Sequence, residues 1–187
     1  MQRYLLYDKK QKLMRNKFIE NLKTRRSIRA YQDKMPHMDS IRKIAEAGTY
    51  APNGQGKQSA KIIVVTDKNL RDKLSKINAA ILGTNADPFH GAPVIIVVLA
   101  DKSIPTYIYD GSLVIGNILN AAHSEGLGGC WIHRAREMFL SKEGKELFHQ
   151  WKIKENYEGI GCCAIGYSSD EELPCPRPRK KEFITYV

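Results

Sequence analysis

The chain is poor in the residues and patterns that announce conventional catalysis. Its 187 residues hold four cysteines, Cys130, Cys162, Cys163 and Cys175, and no C-x-x-C pair. Four thiols so placed make no disulfide framework. Cys162 and Cys163 are neighbours whose side chains point to opposite faces of a strand, so a bridge between them is not expected. They read as reduced cytosolic thiols, mostly in the core. No apolar run approaches the roughly 18 residues of a membrane span. The start, M-Q-R-Y-L-L-Y-D-K-K, lacks the apolar stretch and cleavage site of a signal peptide, which favours a cytoplasmic protein. There is no G-x-S-x-G, no H-E-x-x-H, no dinucleotide fingerprint and no Walker loop. None of His37, His90, His123, His133 and His149 is paired at metal-ligand spacing, so no metal site is expected. Repeats and low-complexity tracts are absent too.

What is present is a globular composition, 42% hydrophobic and 27% charged, with a net charge of +10. A length of 187 residues suits one domain. The charge is lopsided. Residues 1–29 carry ten Lys/Arg against two Asp/Glu, and residues 174–187 carry four against one. The middle of the chain is close to neutral. Two basic ends suit either a shared anion or two solvated tails.

The chain is organised around Asp110 to His133. A helix is expected over about 111–125, apolar on most faces through Leu113, Val114, Ile115, Ile118, Leu119, Ala121 and Ala122. Such a helix is buried nearly all round. That is hard to arrange in one modest domain, so part of its surface suits a second copy. Gly126, Gly128 and Gly129 are read as its stop. Cys130, Trp131 and Ile132 then read as a short buried strand, and His133 closes the unit facing a pocket.

Residues 1–16 read as an N-terminal arm or expression remnant, with no function assigned. A helix begins near Lys17, with Phe18, Ile19 and Leu22 on one face. It leads into T-R-R-S-I-R, where Arg25, Arg26, Ser27 and Arg29 are groups suited to phosphate. In an extended segment Arg25, Ser27 and Arg29 share a face. A second helix covers Asp39 to Ala47, with Gly48 as its end. The loop T-Y-A-P-N-G-Q-G-K-Q-S-A is built for close backbone approach to a ligand, or is simply a turn. Strands are expected over 61–66, 94–100 and 158–167, the second fully apolar and therefore central. Helices are expected over 70–77 and 141–151, with an irregular stretch over 79–92. Phosphate binders and backbone-rich loops without acid–base machinery suit a protein whose cofactor does the chemistry.

Four motifs in order carry a resemblance: R-R-S-I-R, A-P-N-G-x-x-x-Q-S, Y-D-G-S-L-x-x-x-N-x-x-x-A-A ahead of G-L-G-G-C-W-I, and a closing P-R-P-R-K. From about Phe18 to the C-terminus the chain resembles the nitroreductase family of flavoproteins. The resemblance implies an α+β fold, a central, mostly antiparallel sheet flanked by helices. It implies a single FMN-binding domain over 17–187 and an intertwined homodimer with two FMN sites at its interface. The buried helix would be a main dimer element, and the C-terminal tail would cross to the partner. Arg25, Arg26, Ser27 and Arg29 would hold the FMN phosphate, ribityl chain and one ring edge. Arg177 and Arg179 would reach the same phosphate from the other end. Pro52, Asn53 and Gly54 would come from the partner subunit. Trp131, Ile132 and His133 would line the ring. No side chain is implied as a catalytic proton donor.

The implied activity is an oxidoreductase that takes hydride from NADH or NADPH as co-substrate. It passes it through the flavin to a nitroaromatic or quinone acceptor by a ping-pong mechanism. The same fold with other flavin chemistry (reductive dehalogenation, ene reduction or flavin breakdown) is the nearest alternative. A basic nucleic-acid-binding module is a rival of another class, but the cations are not interleaved with exposed aromatics. Two positions depart from the family pattern. Gly56 stands where many relatives carry Asn, and Ala60 where they carry an aromatic residue or Pro. Gln55 or Gln58 would then have to supply the polar contact to the ring edge.

Overall fold

A computed structural model of the chain describes residues 17–171 and 173–187. The arm or remnant expected at 1–16 lies outside the described residues. In chain order the elements are α1 (17–24), α2 (Met38–Thr49), a 3-10 turn (Gly54–Gly56), β1 (Ala60–Val65), α3 (Lys68–Leu82), β2 (Val94–Asp101), α4 (Tyr107–Ser124), β3 (Gly128–Ile132), α5 (Ala135–Leu140), α6 (Lys142–Gln150) and β4 (Tyr157–Gly166). The α+β class expected from the sequence is the one observed.

The four strands form one sheet in the order β1-β2-β4-β3, every neighbouring pair antiparallel. The inner strands are the two with the longest apolar runs, and β2 is buried from Val94 to Ala100. Alternate side chains enter two separate cores. Ile95, Val97, Leu99, Cys162 and Ala164 face the layer of α3, α5 and α6. Val94, Ile96, Val98, Cys163 and Ile165 face α2 and α4. The adjacent Cys162 and Cys163 therefore lie in different cores, and burial pushes both thiols up, Cys162 to about 12.

Several features differ from expectation. Gly48 does not end α2; it lies inside it, where an added Cβ would come within 2.9 Å of both Ile118 and Ile62. The residue allows close packing there and is no stop. Helix α3 outruns the expected 70–77 because Asp67 caps one end, accepting from the Leu70 N–H, and Gly83 at φ +74 closes the other. Of the three glycines after α4, Gly126 alone takes the left-handed conformation (φ +74), while Gly128 and Gly129 belong to β3. Trp131, expected to be buried, is 38% exposed on that edge strand.

Helix α4 is not covered all round. Asp110, Gly111, Val114, Ile115, Ile118, Leu119 and Ala122 turn inward. Tyr109 and Leu113 are exposed, and Gly116, next along the same stripe, has open space where a Cβ would point. Residues 173–187 are exposed and form no strand.

Candidate functional site

After α1 the chain runs extended along the β3 edge. Ile28 is buried and its N–H donates to the Gly129 carbonyl at 3.2 Å, while Ser27 forms a parallel bridge with Gly129. An inward Ile28 turns its neighbours Ser27 and Arg29 the other way, as the two-residue period requires. The C-terminal segment meets this stretch through Arg26, whose Nε donates to the Pro174 carbonyl at 3.1 Å. Its Nη1 donates to the carbonyls of Lys23 (2.7 Å) and Arg25 (2.8 Å). Arg26 therefore stitches the two basic ends together.

Between them lies a cavity of about 710 Å³ whose lining includes Arg25, Arg26, Ser27, Arg29, Arg177 and Arg179. Among the described residues no carboxylate lines it. Arg25 Nη1 is buried and has no hydrogen-bond partner among the described residues. A buried guanidinium nitrogen without an acceptor is costly, and an anion bound there removes the cost. Nearby, burial first and then Arg25 and Arg26 hold the His123 pKa below its ordinary value. Its Nε2 lies 2.9 Å from the Thr24 hydroxyl. Beneath the cavity, burial pushes the Cys130 thiol up despite Arg29, Ser27 and Arg25. The charged side chains lining this cavity among the described residues are all cationic. A phosphomonoester such as that of FMN fits both the donor set and the partnerless Arg25.

Pro52, Asn53, Gly54, Trp131, Ile132 and His133 do not line this cavity within the same chain. Asn53 instead lines a second hollow of about 530 Å³ with Tyr50, Gln58, Ala60, Ile62 and Val114. Its loop is pinned by Asp110, a residue of the Y-D-G-S-L motif to which the sequence assigned no role. That buried carboxylate accepts from the Gly54 N–H (3.0 Å), the Ser59 hydroxyl (2.6 Å) and the Thr106 hydroxyl (3.1 Å). Gly54 is pressed so tightly on this knot that a Cβ would stand 2.2 Å from the Thr106 hydroxyl oxygen. An unmarked residue is Asn78, fully buried on α3. Its Nδ2 donates to the His133 carbonyl at 2.9 Å, and its Oδ1 accepts from Arg134 Nε at 3.0 Å. It fixes the turn where Arg134 takes φ +76. The signal was available: Asn78 lies four residues after Leu74, on the apolar face of its helix. Ile132 is itself in the core, so it offers the site its backbone only. His133 is exposed.

Comparison with known proteins identifies the family. The model of the Nitroreductase family matches residues 22–88. An Archaeoglobus fulgidus protein named "Putative NADH dehydrogenase/NAD(P)H nitroreductase" is 33% identical over 154 residues, covering 80% of this chain and 84% of the relative. The chain belongs to the nitroreductase family. Solved members of similar shape include a Bacteroides fragilis nitroreductase with bound FMN (TM-score 0.83, 26% identity, 91% of this chain and 98% of that one). A Desulfitobacterium hafniense nitroreductase with bound FMN is similar at TM-score 0.81 and 25% identity, covering 91% and 97%.

Of the two departures from the family pattern, the one at Gly56 is structurally mild. Gly56 has φ +66 and open space around its Cβ direction, a conformation that asparagine tolerates better than most residues. Gln55 and Gln58 both take positive φ, at 55° and 50°, and both side chains are exposed.

Proposed function

We propose that the chain acts as a homodimeric FMN-dependent NAD(P)H oxidoreductase whose acceptors are nitroaromatics or quinones, with each reductant and acceptor occupying one site in turn. When bound, FMN supplies the two-electron redox chemistry that joins the nicotinamide to the acceptor. The chain supplies binding, orientation and field. Arg25, Ser27, Arg29, Arg177 and Arg179 hold the phosphate, and Arg26 holds the two basic segments around it. Trp131 and His133 line the ring beside the Ile132 backbone. The observation that carries this reading is a buried Arg25 nitrogen that, among the described residues, has no hydrogen-bond partner and lies in a cavity lined by no carboxylate.

Pro52, Asn53 and Gly54 complete the site from the second subunit. The exposed stripe of Tyr109, Leu113 and Gly116 supports that assembly, as do Phe18, Ile19 and Leu22 exposed on α1. The exposed residues Phe183, Ile184, Tyr186 and Val187 lie on the partner. Commitment of the basic ends to one small concavity favours a compact phosphate over nucleic acid. Buried free thiols suit the reducing cytoplasm.

Replacing Arg25 and Arg29 together with alanine tests the site. The expected result is a folded dimer that no longer retains FMN through gel filtration; retention at unchanged affinity would place the phosphate elsewhere. Initial rates with NAD(P)H and a quinone are expected to give parallel double-reciprocal lines. Intersecting lines would rule out the alternating use of one site.

A further inference from the structure

A separate concavity of about 600 Å³ opens in the helical layer on the other side of the sheet from α2 and α4. Its floor is apolar and aromatic. Phe139 and Phe148 stack there with ring centroids 4.9 Å apart, and Leu140, Ile153 and Tyr157 continue the surface. Leu140 is 53% exposed, although it borders a core of buried aromatics.

The charge on the lining is unevenly matched. Glu158 is buried and already occupied, bound by Arg136 at 3.2 Å on one oxygen and by the Tyr107 hydroxyl at 3.1 Å on the other. That leaves Lys102, Lys145 and Lys154, none of which forms an ion pair with a carboxylate among the described residues. Only Glu155 opposes them on the lining. The loop presenting two of these groups is anchored at both ends. The Ile153 N–H donates to the Phe148 carbonyl at 2.8 Å, and the Lys102 N–H to the Asn156 carbonyl at 2.9 Å.

We propose that this concavity binds a small amphipathic aromatic carboxylate, independently of the flavin. Its size falls in the range of small-molecule pockets, about 300–1,000 Å³. A flat apolar body covers the exposed Leu140 and the half-buried Phe148, Ile153 and Tyr157, removing apolar surface from water. The carboxylate meets the lysine rim, where the excess of positive charge favours an anion over a neutral or cationic head.

The test uses the FMN-loaded protein, titrated with naphthoate and with naphthamide, its uncharged counterpart. Methyl NMR of Ile153 reports the site, and calorimetry gives affinity. Naphthoate is expected to shift the Ile153 methyl saturably and to bind at least about tenfold more tightly than the amide, since one charge-assisted contact is at stake. Lys145→Glu with Lys154→Glu is expected to weaken naphthoate by about tenfold or more and leave the amide unchanged. Leu140→Trp, at an exposed position, is expected to block both. FMN retention is expected to be unchanged in every variant, which separates this proposal from the flavin assignment. No saturable shift at Ile153, equal affinity for acid and amide, or indifference to charge reversal would overturn it.

Discussion

Asp110 is buried, yet its carboxyl is held below the ordinary carboxylate range. Burial pushes it up, and the hydrogen bonds from Ser59, Gly54 and Thr106 more than offset that push. The charge is therefore bound to its neighbours more tightly than it would be to water. Asp110→Ala strands the buried Ser59 hydroxyl and the Gly54 N–H, so a loss of about 2–4 kcal/mol is expected from urea denaturation. Asp110→Asn keeps the shape and one acceptor and is expected to lose about 1 kcal/mol. An alanine variant of undiminished stability would show that the knot is decorative.

Asp87 gives the clearest pH signature at this scale. It accepts from Arg71 Nη2, from the Ser75 hydroxyl (2.6 Å) and from the N–H groups of Gly91 (2.7 Å) and Phe89 (3.0 Å). Burial opposes these bonds, and the net result is a pKa lowered to about 2. The unfolded chain binds that proton at about pH 4. The folded state therefore gains stability from Asp87 above about pH 4, and loses it as pH falls towards about 2. In Asp87→Asn that contribution is absent, so stability over the same window is expected to vary less with pH than in the parent. An unchanged slope in acid denaturation curves would contradict the assignment.

At the scale of elements, the α2–α4 contact turns on Gly48. Helix propensity alone favours alanine there by about 1 kcal/mol. Overpacking against Ile118 and Ile62 costs about 1–3 kcal/mol and wins, because Ile118 has no exposed space to move into. Gly48→Ala is expected to lower the melting temperature; a raised one would mean that the two helices separate freely. The same residue shows where sequence reading stops. A glycine after an apolar helical run signals a stop and a close approach equally well, and only the helix it meets decides. Elements defined by many residues were legible: β2 by its unbroken β-branched run, α4 by its length, and the alternation that sends Cys162 and Cys163 apart. Helix α5 was not, because six residues are too few to display a helical period. Trp131 was misjudged because strand identity says nothing of edge position.

For the whole molecule, arginines from the two basic ends, Arg25, Arg26, Arg29, Arg177 and Arg179, line one cavity, and that convergence could be posed from sequence though not decided. Which residues converge depends on Arg26 binding the Pro174 carbonyl, a contact across 148 positions that no local pattern encodes. The remaining parts of the candidate site stay apart within one chain. The Asn53 loop and the arginine cavity have separate linings, and on the proposed reading each is completed by a second copy. The outward stripe of α4 is the surface best suited to bring two copies together, since it is apolar and its Gly116 admits a close neighbour. Leu113→Glu puts a charge in the middle of that stripe while leaving the inward face untouched. Sedimentation is expected to show a folded monomer, and FMN retention is expected to fall with it, because the loop from the second copy is lost. A dimer that persists with full flavin would move the interface off α4. A monomer that keeps its flavin would mean that one chain alone completes the site.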